Sequence, residues 1–270
     1  MKKIMIAAGA VALCGAVLAD VTSANIVGYQ TITAPAAGHY VSLSVQFEPV
    51  DGVQKTVNTL FTYATGTPKG TPGFGNSADN LWLWDPTLND GAGNWAKYWY
   101  KSTGTKGFYR QGATATPSTD VVPAGSTILF FRGLSAGAAT LTLSGGVVPL
   151  KSAVQQTGLA AGKYRFMCYP WPIDFNINQL AACQKAPKGT PGFGNSADNV
   201  WIWDPTLNDG AGNWAKFWYK STGTKGYYRQ GVTSAPADYK IPAGEGFLFF
   251  RGLSGAEETI TFKGPEYVEE

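Results

Sequence analysis

The sequence predicts a mainly β protein made of two tandem repeats. A block of 44 residues, 69–112, recurs at an offset of 119 as 188–231, and 40 of the 44 positions are identical. Gly (34) and Pro (16) are abundant, and short alternating apolar runs are bounded by turn residues. Apolar periodicity of helical length is scarce. We therefore predict two tandem antiparallel β-sandwich or partly open barrel domains of about seven strands each.

The first segment, 1–19, has the pattern of a signal peptide. Lys2 and Lys3 precede an apolar stretch that reaches about Val17, and Ala19 stands before Asp20. Such a pattern is typical of a leader that is cleaved after Ala19. The apolar stretch is too short to span a bilayer comfortably, and no later stretch reaches 18 apolar residues. We predict a secreted protein, extracellular, at the cell surface or periplasmic, with no membrane span.

The rest of the chain divides near Gly145 and Gly146 into a first domain, 20–146, and a second domain, 147–270. Each is long enough for its own core. In the first domain, strands are predicted at 25–33, 40–47, 80–84, 94–101, 107–111, 126–132 and 139–144. A short helix is predicted between the second and third strands, at 53–63 in the first domain and at 176–184 in the second, with Leu60 and Leu180 facing inward.

The duplicated block, 69–112 and 188–231, has diverged less than its flanks. Its four differences exchange one apolar or aromatic residue for another, which packed interiors tolerate, whereas its polar, Gly-rich loops are identical. Loops ordinarily vary more than cores. Two explanations remain open: the loops form a binding surface, or a recent recombination event overwrote this segment.

The aromatic residues of the block fall on one face of two predicted strands, because side chains alternate along a strand. Leu81 and Leu83 share the expected core face of the strand 80–84, and the tryptophans share the other. If this strand forms a hairpin with 94–101, tryptophan and lysine side chains line one surface in each repeat. The candidate ligand-binding residues are Trp82, Trp84, Trp95, Lys97, Trp99 and Lys101, with their copies Trp201, Trp203, Trp214, Lys216, Trp218 and Lys220.

This Trp/Lys face is suited to binding polysaccharide or another cell-surface polymer. Sugar C–H faces stack on flat aromatic rings, and polar neighbours hydrogen-bond the hydroxyl groups. Two linked sites would raise the avidity for a repetitive polymer. The alternative is that the tryptophans form the core of each small domain, where most tryptophan side chains are largely buried.

Cys168 and Cys183 lie in the second copy, and the first copy has Ser44 and Ala64 at the corresponding positions. Cysteines that are present or absent together in an exported protein favour a disulfide bond between them. Two unrelated buried thiols are the alternative.

Other chemistries find little support. The single histidine, His39, aligns with Lys163 of the second copy, which argues against a histidine metal cluster or a histidine-dependent triad shared by both repeats. The oxygen-rich loop 85–94 is better explained as a tight turn than as a calcium site. Without the leader, 19 basic side chains face 18 acidic ones and no basic stripe is present, which argues against a nucleic-acid partner. We expect no enzyme activity, metal or cofactor.

Three motifs carry a resemblance to a known group of proteins. They are Ala24-Asn25-Ile26-Val27-Gly28-Tyr29, then Asp79-Asn80-Leu81-Trp82-Leu83-Trp84-Asp85, and Pro123-Ala124-Gly125 followed by Phe130-Phe131-Arg132-Gly133. In these the chain resembles secreted β-rich repeat proteins of bacteria of the Verrucomicrobia and Lentisphaerae type. The second copy departs from the opening motif, with Pro149-Leu150-Lys151 near the corresponding place. The resemblance implies export and β-rich repeats, and no established activity.

Two functional hypotheses follow. The preferred one is a non-enzymatic exported protein that binds polysaccharide or another cell-surface polymer through the Trp/Lys face of each repeat. The alternative is a structural, self-associating component of the cell envelope or extracellular matrix, in which the strand 25–33 pairs with a neighbouring chain at a sheet edge.

Overall fold

A computed structural model describes residues 27–50, 52–89, 93–149, 152–209 and 212–265. The predicted signal peptide, 1–19, lies outside the described residues. The strands of the first repeat are β1 (Val27–Thr33), β2 (Tyr40–Ser44), β3 (Phe47–Glu48), β4 (Phe61–Thr65), β5 (Asn80–Asp85), β6 (Asn94–Lys101), β7 (Gly107–Arg110), β8 (Thr127–Phe131) and β9 (Thr140–Val147). The elements of the second repeat are β10 (Ala153–Leu159), β11 (Tyr164–Cys168), β12 (Phe175–Asn176), α1 (Gln179–Cys183), β13 (Asn199–Asp204), β14 (Asn213–Lys220), β15 (Gly226–Arg229), β16 (Lys240–Ile241), β17 (Gly246–Phe250) and β18 (Glu258–Lys263).

The protein is mainly β, as predicted, and the strands pair in antiparallel fashion. Each repeat contains one five-stranded sheet, with the order β2-β8-β5-β6-β7 in the first and β11-β17-β13-β14-β15 in the second. Smaller sheets complete the repeats: β9 pairs with β1, β3 and β4, while β10 pairs with β18 and β12 with β16. Within the described residues, every sheet is open rather than closed into a barrel.

Each five-stranded sheet packs one face against the smaller sheet of its own repeat. In the first repeat, Leu81, Tyr98 and Phe130 contribute to the same buried cluster as Leu141 and Leu143 of β9. In the second repeat, Val200, Phe217 and Phe249 share a buried cluster with Ile260 and Phe262 of β18. The residues that differ between the two copies of the block therefore lie in these cores, where exchanges of apolar side chains are tolerated.

The two repeats differ in the segment for which a helix was predicted twice. In the second repeat α1 lies within the predicted range 176–184, and Leu180 is buried. In the first repeat the prediction of a helix at 53–63 is wrong, because Phe61–Thr65 forms β4 and pairs with β9. The sequence Phe-Thr-Tyr-Ala-Thr is rich in β-branched and aromatic residues, which favour a strand, whereas Gln-Leu-Ala-Ala-Cys contains good helix formers.

The predicted disulfide bond between Cys168 and Cys183 is also wrong, because both thiols are free. Cys168 follows Met167, whose side chain lies in the core of the second repeat, so Cys168 faces the opposite side of the sheet. Its thiol lies 3.7 Å from the carbonyl oxygen of Ser126 in the first repeat. Cys183 packs against the core of the second repeat, on the other side of the sheet from Cys168.

The chain passes from one repeat to the other at about Val147 and Val148. Val147 pairs with Phe47 in the first repeat, whereas Val148 is buried in the core of the second. Among the residues that the structure describes, no helix is long and apolar enough to cross a membrane.

Candidate functional site

The Trp-bearing faces of the two five-stranded sheets pack against each other. Leu129, Phe166 and Leu248 are buried at the centre of this contact. Eight partly buried aromatic residues surround them: Tyr40, Trp82, Trp84, Trp95, Tyr164, Trp201, Trp203 and Trp214. We call this contact between the repeats the seam. Strand alternation placed its tryptophans on the correct face, opposite to Leu81 and Leu83, but each face is covered largely by the other repeat.

Specific contacts join the two repeats across the seam. The indole Nε1 of Trp84 donates a hydrogen bond to the carbonyl oxygen of Tyr164, at 2.9 Å. The rings of Trp95 and Phe166 have centroids 5.4 Å apart, and those of Tyr40 and Trp203 are 5.6 Å apart. Edge-to-face pairs at such distances are favourable. The tryptophans of one repeat are therefore held by aromatic and backbone groups of the other.

Backbone hydrogen bonds at equivalent positions give the seam an approximate two-fold symmetry. The N–H of Ser44 donates to the carbonyl of Gly244 at 3.2 Å, and the N–H of its counterpart Cys168 donates to the carbonyl of Gly125 at 3.1 Å. Gly125 and Gly244 are themselves counterparts, 119 residues apart. The two repeats therefore pack as similar halves of one unit.

Two of the candidate tryptophans lie away from the seam. Trp99 is 1% exposed and packs with Ala78 and Tyr109, and Trp218 is 1% exposed in the equivalent cluster of the second repeat. The ammonium groups of Lys101 and Lys220 lie over the rings of Tyr109 and Tyr228 beside these clusters. These four residues, predicted to share one surface with Trp95 and Trp214, form separate clusters in the structure.

The remaining two lysines flank the seam. Nζ of Lys97 lies 4.3 Å from the ring centroid of Trp82, and Nζ of Lys216 lies 4.4 Å from that of Trp201. A cation over the face of an indole ring is attracted by its quadrupole. Lys97 and Lys216 are therefore positioned beside the aromatic rings of the seam, as the alternation along the strands predicts.

The identical loops of the duplicated block are held by a buried carboxylate. Asp79 accepts hydrogen bonds from the backbone N–H of Lys69 at 2.9 Å and of Gly133 at 2.8 Å, and forms an ion pair with Arg132 at 2.6 Å. Asp198 makes the equivalent contacts with Lys188, Gly252 and Arg251. Losing one partner of such a buried pair is strongly destabilising. Part of the loop identity therefore has a structural cause.

A small cavity of about 160 Å³ opens at the seam. It is lined by Trp84, Trp95, Tyr164, Trp201, Trp214 and Leu248. These four tryptophans are neither fully buried nor fully exposed. The indole N–H groups of Trp201 and Trp203 are buried and have no hydrogen-bond acceptor among the described residues. The seam therefore combines partly exposed aromatic surface with two buried indole N–H groups that have no acceptor among the described residues.

A larger cavity of about 470 Å³ lies where the first repeat meets β10 and β11. The first repeat contributes Trp84, Asp85, Arg110 and Asp120 to it, and the second contributes Gln156, Arg165 and Phe166. We call it the polar cleft. Its volume is within the range of ligand pockets, about 300–1,000 Å³.

Arg110 bridges two carboxylates in the polar cleft. Its guanidinium lies 3.4 Å from Asp85 and 3.3 Å from Asp120. The hydroxyl of Tyr98 donates to the same oxygen of Asp120 at 2.6 Å. Partial burial raises the pKa of Asp85, but hydrogen bonds from Thr87 and the charge of Arg110 outweigh it and hold the pKa below its ordinary value. The cleft therefore presents carboxylate acceptors beside guanidinium donors.

Sequence reasoning missed this group because its members are far apart in the chain and come from a strand, a loop and the other repeat. One signal was available in the alignment of the two copies. Tyr98 and Asp120 are replaced together by Phe217 and Tyr239 in the second repeat. There the two rings pack with centroids 5.1 Å apart.

The described residues contain no group of three or more His, Cys, Asp or Glu side chains arranged to hold a metal ion. Comparison with protein-family models gives no match for this chain, and no curated protein matches it. The function must therefore be argued from the geometry of the seam and the polar cleft.

Proposed function

We propose that this chain is an exported, non-enzymatic recognition protein that binds polysaccharide at the seam between its two repeats. Domains 20–146 and 147–270 are the units of the duplication, and together they form the binding surface. The observation that carries the proposal is the partly open cavity lined by Trp84, Trp95, Tyr164, Trp201 and Trp214. Partly exposed indole rings match sugar rings, which stack on them through C–H groups.

The packing of the seam changes the expected valency. Two separated Trp/Lys faces would act as two independent sites, but here the faces meet, and rings from both repeats line one opening. We therefore expect one seam site in each chain rather than two. Lys97 and Lys216, each over an indole ring, would flank the bound polymer and hydrogen-bond its hydroxyl groups.

The test is binding of the folded chain to a panel of insoluble polysaccharides, measured by co-sedimentation with a no-polymer control. Replacing Trp95 and Trp214 with Phe keeps an aromatic ring in the seam but removes indole surface, and we expect binding to fall severalfold. The matched control replaces Trp99 and Trp218 with Phe, since these rings are buried elsewhere. Unchanged binding by the first variant, with the fold intact by circular dichroism, would contradict the proposal.

A second function, self-association as a structural component, is favoured by the outer edge of β1. Among the described residues β1 pairs with β9 alone, and it contains no charged residue and no proline. Tyr29 on this strand is 78% exposed. Natural proteins usually protect such edges against pairing with another chain. If a second copy pairs here, sedimentation velocity will detect oligomers that grow with concentration and are lost in Thr31→Pro; a strictly monomeric wild type would exclude it.

A further inference from the structure

We infer that the polar cleft is a subsite for one uncharged sugar unit with neighbouring hydroxyl groups, complete in the first repeat and replaced in the second. This inference rests on the proposed function, since it assigns a ligand class to a cavity next to the seam. It differs from it in resting on Asp85, Arg110 and Asp120, although Trp84 lines both cavities, and in predicting an asymmetry between two nearly identical repeats.

The chemistry of the cleft matches a pair of hydroxyl groups. The Asp85 and Asp120 carboxylates are acceptors, and Arg110 between them is a planar donor. Adjacent sugar hydroxyls each donate one hydrogen bond and accept others, so they fit alternating carboxylate and guanidinium groups. Arg110 is about 40% exposed, so its remaining N–H groups are accessible from the cleft.

The charge of the cleft favours an uncharged unit over an acidic one. Asp85 and Asp120 contribute two negative charges, and Arg110 and Arg165 contribute two positive charges, so the lining is formally neutral. Arg110 is already paired with both aspartates, and Arg165, which donates a hydrogen bond to the carbonyl oxygen of Thr157, brings the lining only to neutrality. An acidic sugar would bring a further negative charge close to two carboxylates, which is unfavourable.

Apolar surface for a sugar ring is provided from both repeats. Trp84 lines the cleft with its indole fixed by the hydrogen bond to Tyr164, and Phe166 approaches from β11. Gln156 of β10 adds an amide, which both donates and accepts. The cleft is therefore complete only when the two repeats are packed together.

The equivalent place in the second repeat lacks the Tyr98–Asp120 pair. It keeps Asp204 and Arg229, and Glu245 stands there in place of Ser126. Tyr239 stands for Asp120 and Phe217 for Tyr98, so two packed rings replace the hydrogen-bonded carboxylate. Arg229, the copy of Arg110, makes no salt bridge among the described residues. Val41 of the first repeat stands where Arg165 would be needed. The two repeats therefore differ at this place: the first has a hydrogen-bonded Tyr98–Asp120 pair, and the second has the packed rings of Phe217 and Tyr239.

The experiment exchanges two side chains between the repeats: each variant gives one repeat the pair that the other repeat has at the equivalent positions. The test variant carries Tyr98→Phe with Asp120→Tyr, and the control carries Phe217→Tyr with Tyr239→Asp. Each uses a pair of side chains that this fold already accommodates. Titration calorimetry of the full chain is done with soluble neutral oligosaccharides of glucose, mannose, galactose and xylose, and with oligogalacturonate. We expect the test variant to bind the best neutral ligand at least about tenfold more weakly, and the control to match the wild type.

The outcomes separate the inference from the proposed function. Equal affinity of the test variant and wild type, or tighter binding of oligogalacturonate than of every neutral ligand, would overturn the inference. The seam proposal would survive either result if Trp95→Phe with Trp214→Phe still weakens binding. Failure of the wild type to bind any of these sugars or the insoluble panel would overturn the seam proposal and the cleft inference together. A melting temperature for each variant shows that binding is compared between folded proteins.

Discussion

Glu245 is the residue whose ionisation has the clearest consequence for stability. It occupies the position of Ser126 in the first repeat, immediately before β17. Burial, and then the negative charge of Asp204, raise the pKa of Glu245 to about 7 from 4.5. The folded state therefore holds a proton that the unfolded state releases at a lower pH.

This difference predicts that stability decreases as the pH rises from about 4.5 to above about 7. Below this window Glu245 is protonated in both the folded and the unfolded state, so its ionisation does not change the stability. Above the window the folded protein contains a carboxylate that is poorly solvated, and the free energy of unfolding is lower. Because the side chain is only partly buried, we expect a loss of about 1–2 kcal/mol. Urea unfolding at about pH 5 and about pH 8 measures it. Glu245→Gln should remove this loss of stability between the two pH values, whereas Glu257→Gln, at an exposed position, should retain it.

Cys168 is a buried thiol at the boundary between the repeats. Burial raises its pKa to about 12, and burial raises the pKa of Cys183 to about 11. Since the thiolate is the reactive form, both cysteines should be alkylated slowly in the native protein at neutral pH and rapidly in denaturant. Mass spectrometry after iodoacetamide treatment measures this. A melting temperature that falls on addition of reductant would instead indicate a disulfide bond.

Among the secondary-structure elements, the β5–β6 hairpin explains why a glycine is needed next to the seam. Gly93 has φ +87°, and a Cβ at this position would lie 2.5 Å from the indole of Trp84. A side chain would thus require both a strained backbone and a displaced Trp84. Gly75 lies in the same duplicated block, but a Cβ there would meet nothing within 4 Å.

The matched pair Gly93→Ala and Gly75→Ala tests this role of the hairpin. We expect Gly93→Ala to lower the free energy of unfolding by about 1–3 kcal/mol, because it adds backbone strain and overpacking. Gly75→Ala should change it by less than about 1 kcal/mol. Chemical denaturation of both variants measures the difference. Equal effects would mean that the contact with Trp84 does not restrict this position.

The elements also show what could be predicted from the sequence. The alternation of side chains along a strand was sufficient to assign the two faces of β5 and β6, because Leu81 and Trp82 lie on opposite faces of the sheet. It could not show what covers the Trp face, since a neighbouring sheet and a ligand both favour aromatic residues. The first-repeat helix was predicted wrongly because β4 is stabilised by pairing with β9, which is distant in sequence. The cleft around Arg110 depends on the docking of two repeats, which no local pattern encodes.

At the scale of the whole molecule, the seam makes the two repeats depend on each other. Besides the aromatic contacts, the buried side chain of Gln46 donates to the carbonyl oxygens of Tyr169 and Trp171, both at 2.9 Å. Unfolding one repeat would therefore expose aromatic surface and leave buried polar groups of the other without partners. Each of these losses is unfavourable. The repeats should behave as one thermodynamic unit although the sequence divides into two.

We therefore expect the full chain to unfold in a single transition, with equal calorimetric and van't Hoff enthalpies in differential scanning calorimetry. Weakening the seam with Trp84→Ala and Gln46→Ala should separate the transition into two, because each repeat retains its own core. Leu60→Ala is the control: it opens a cavity in the first core and should cost about 2–5 kcal/mol, yet leave one transition. Two transitions in the wild type would show that the repeats are independent, and the seam would then be too weak to hold the geometry on which both binding proposals depend.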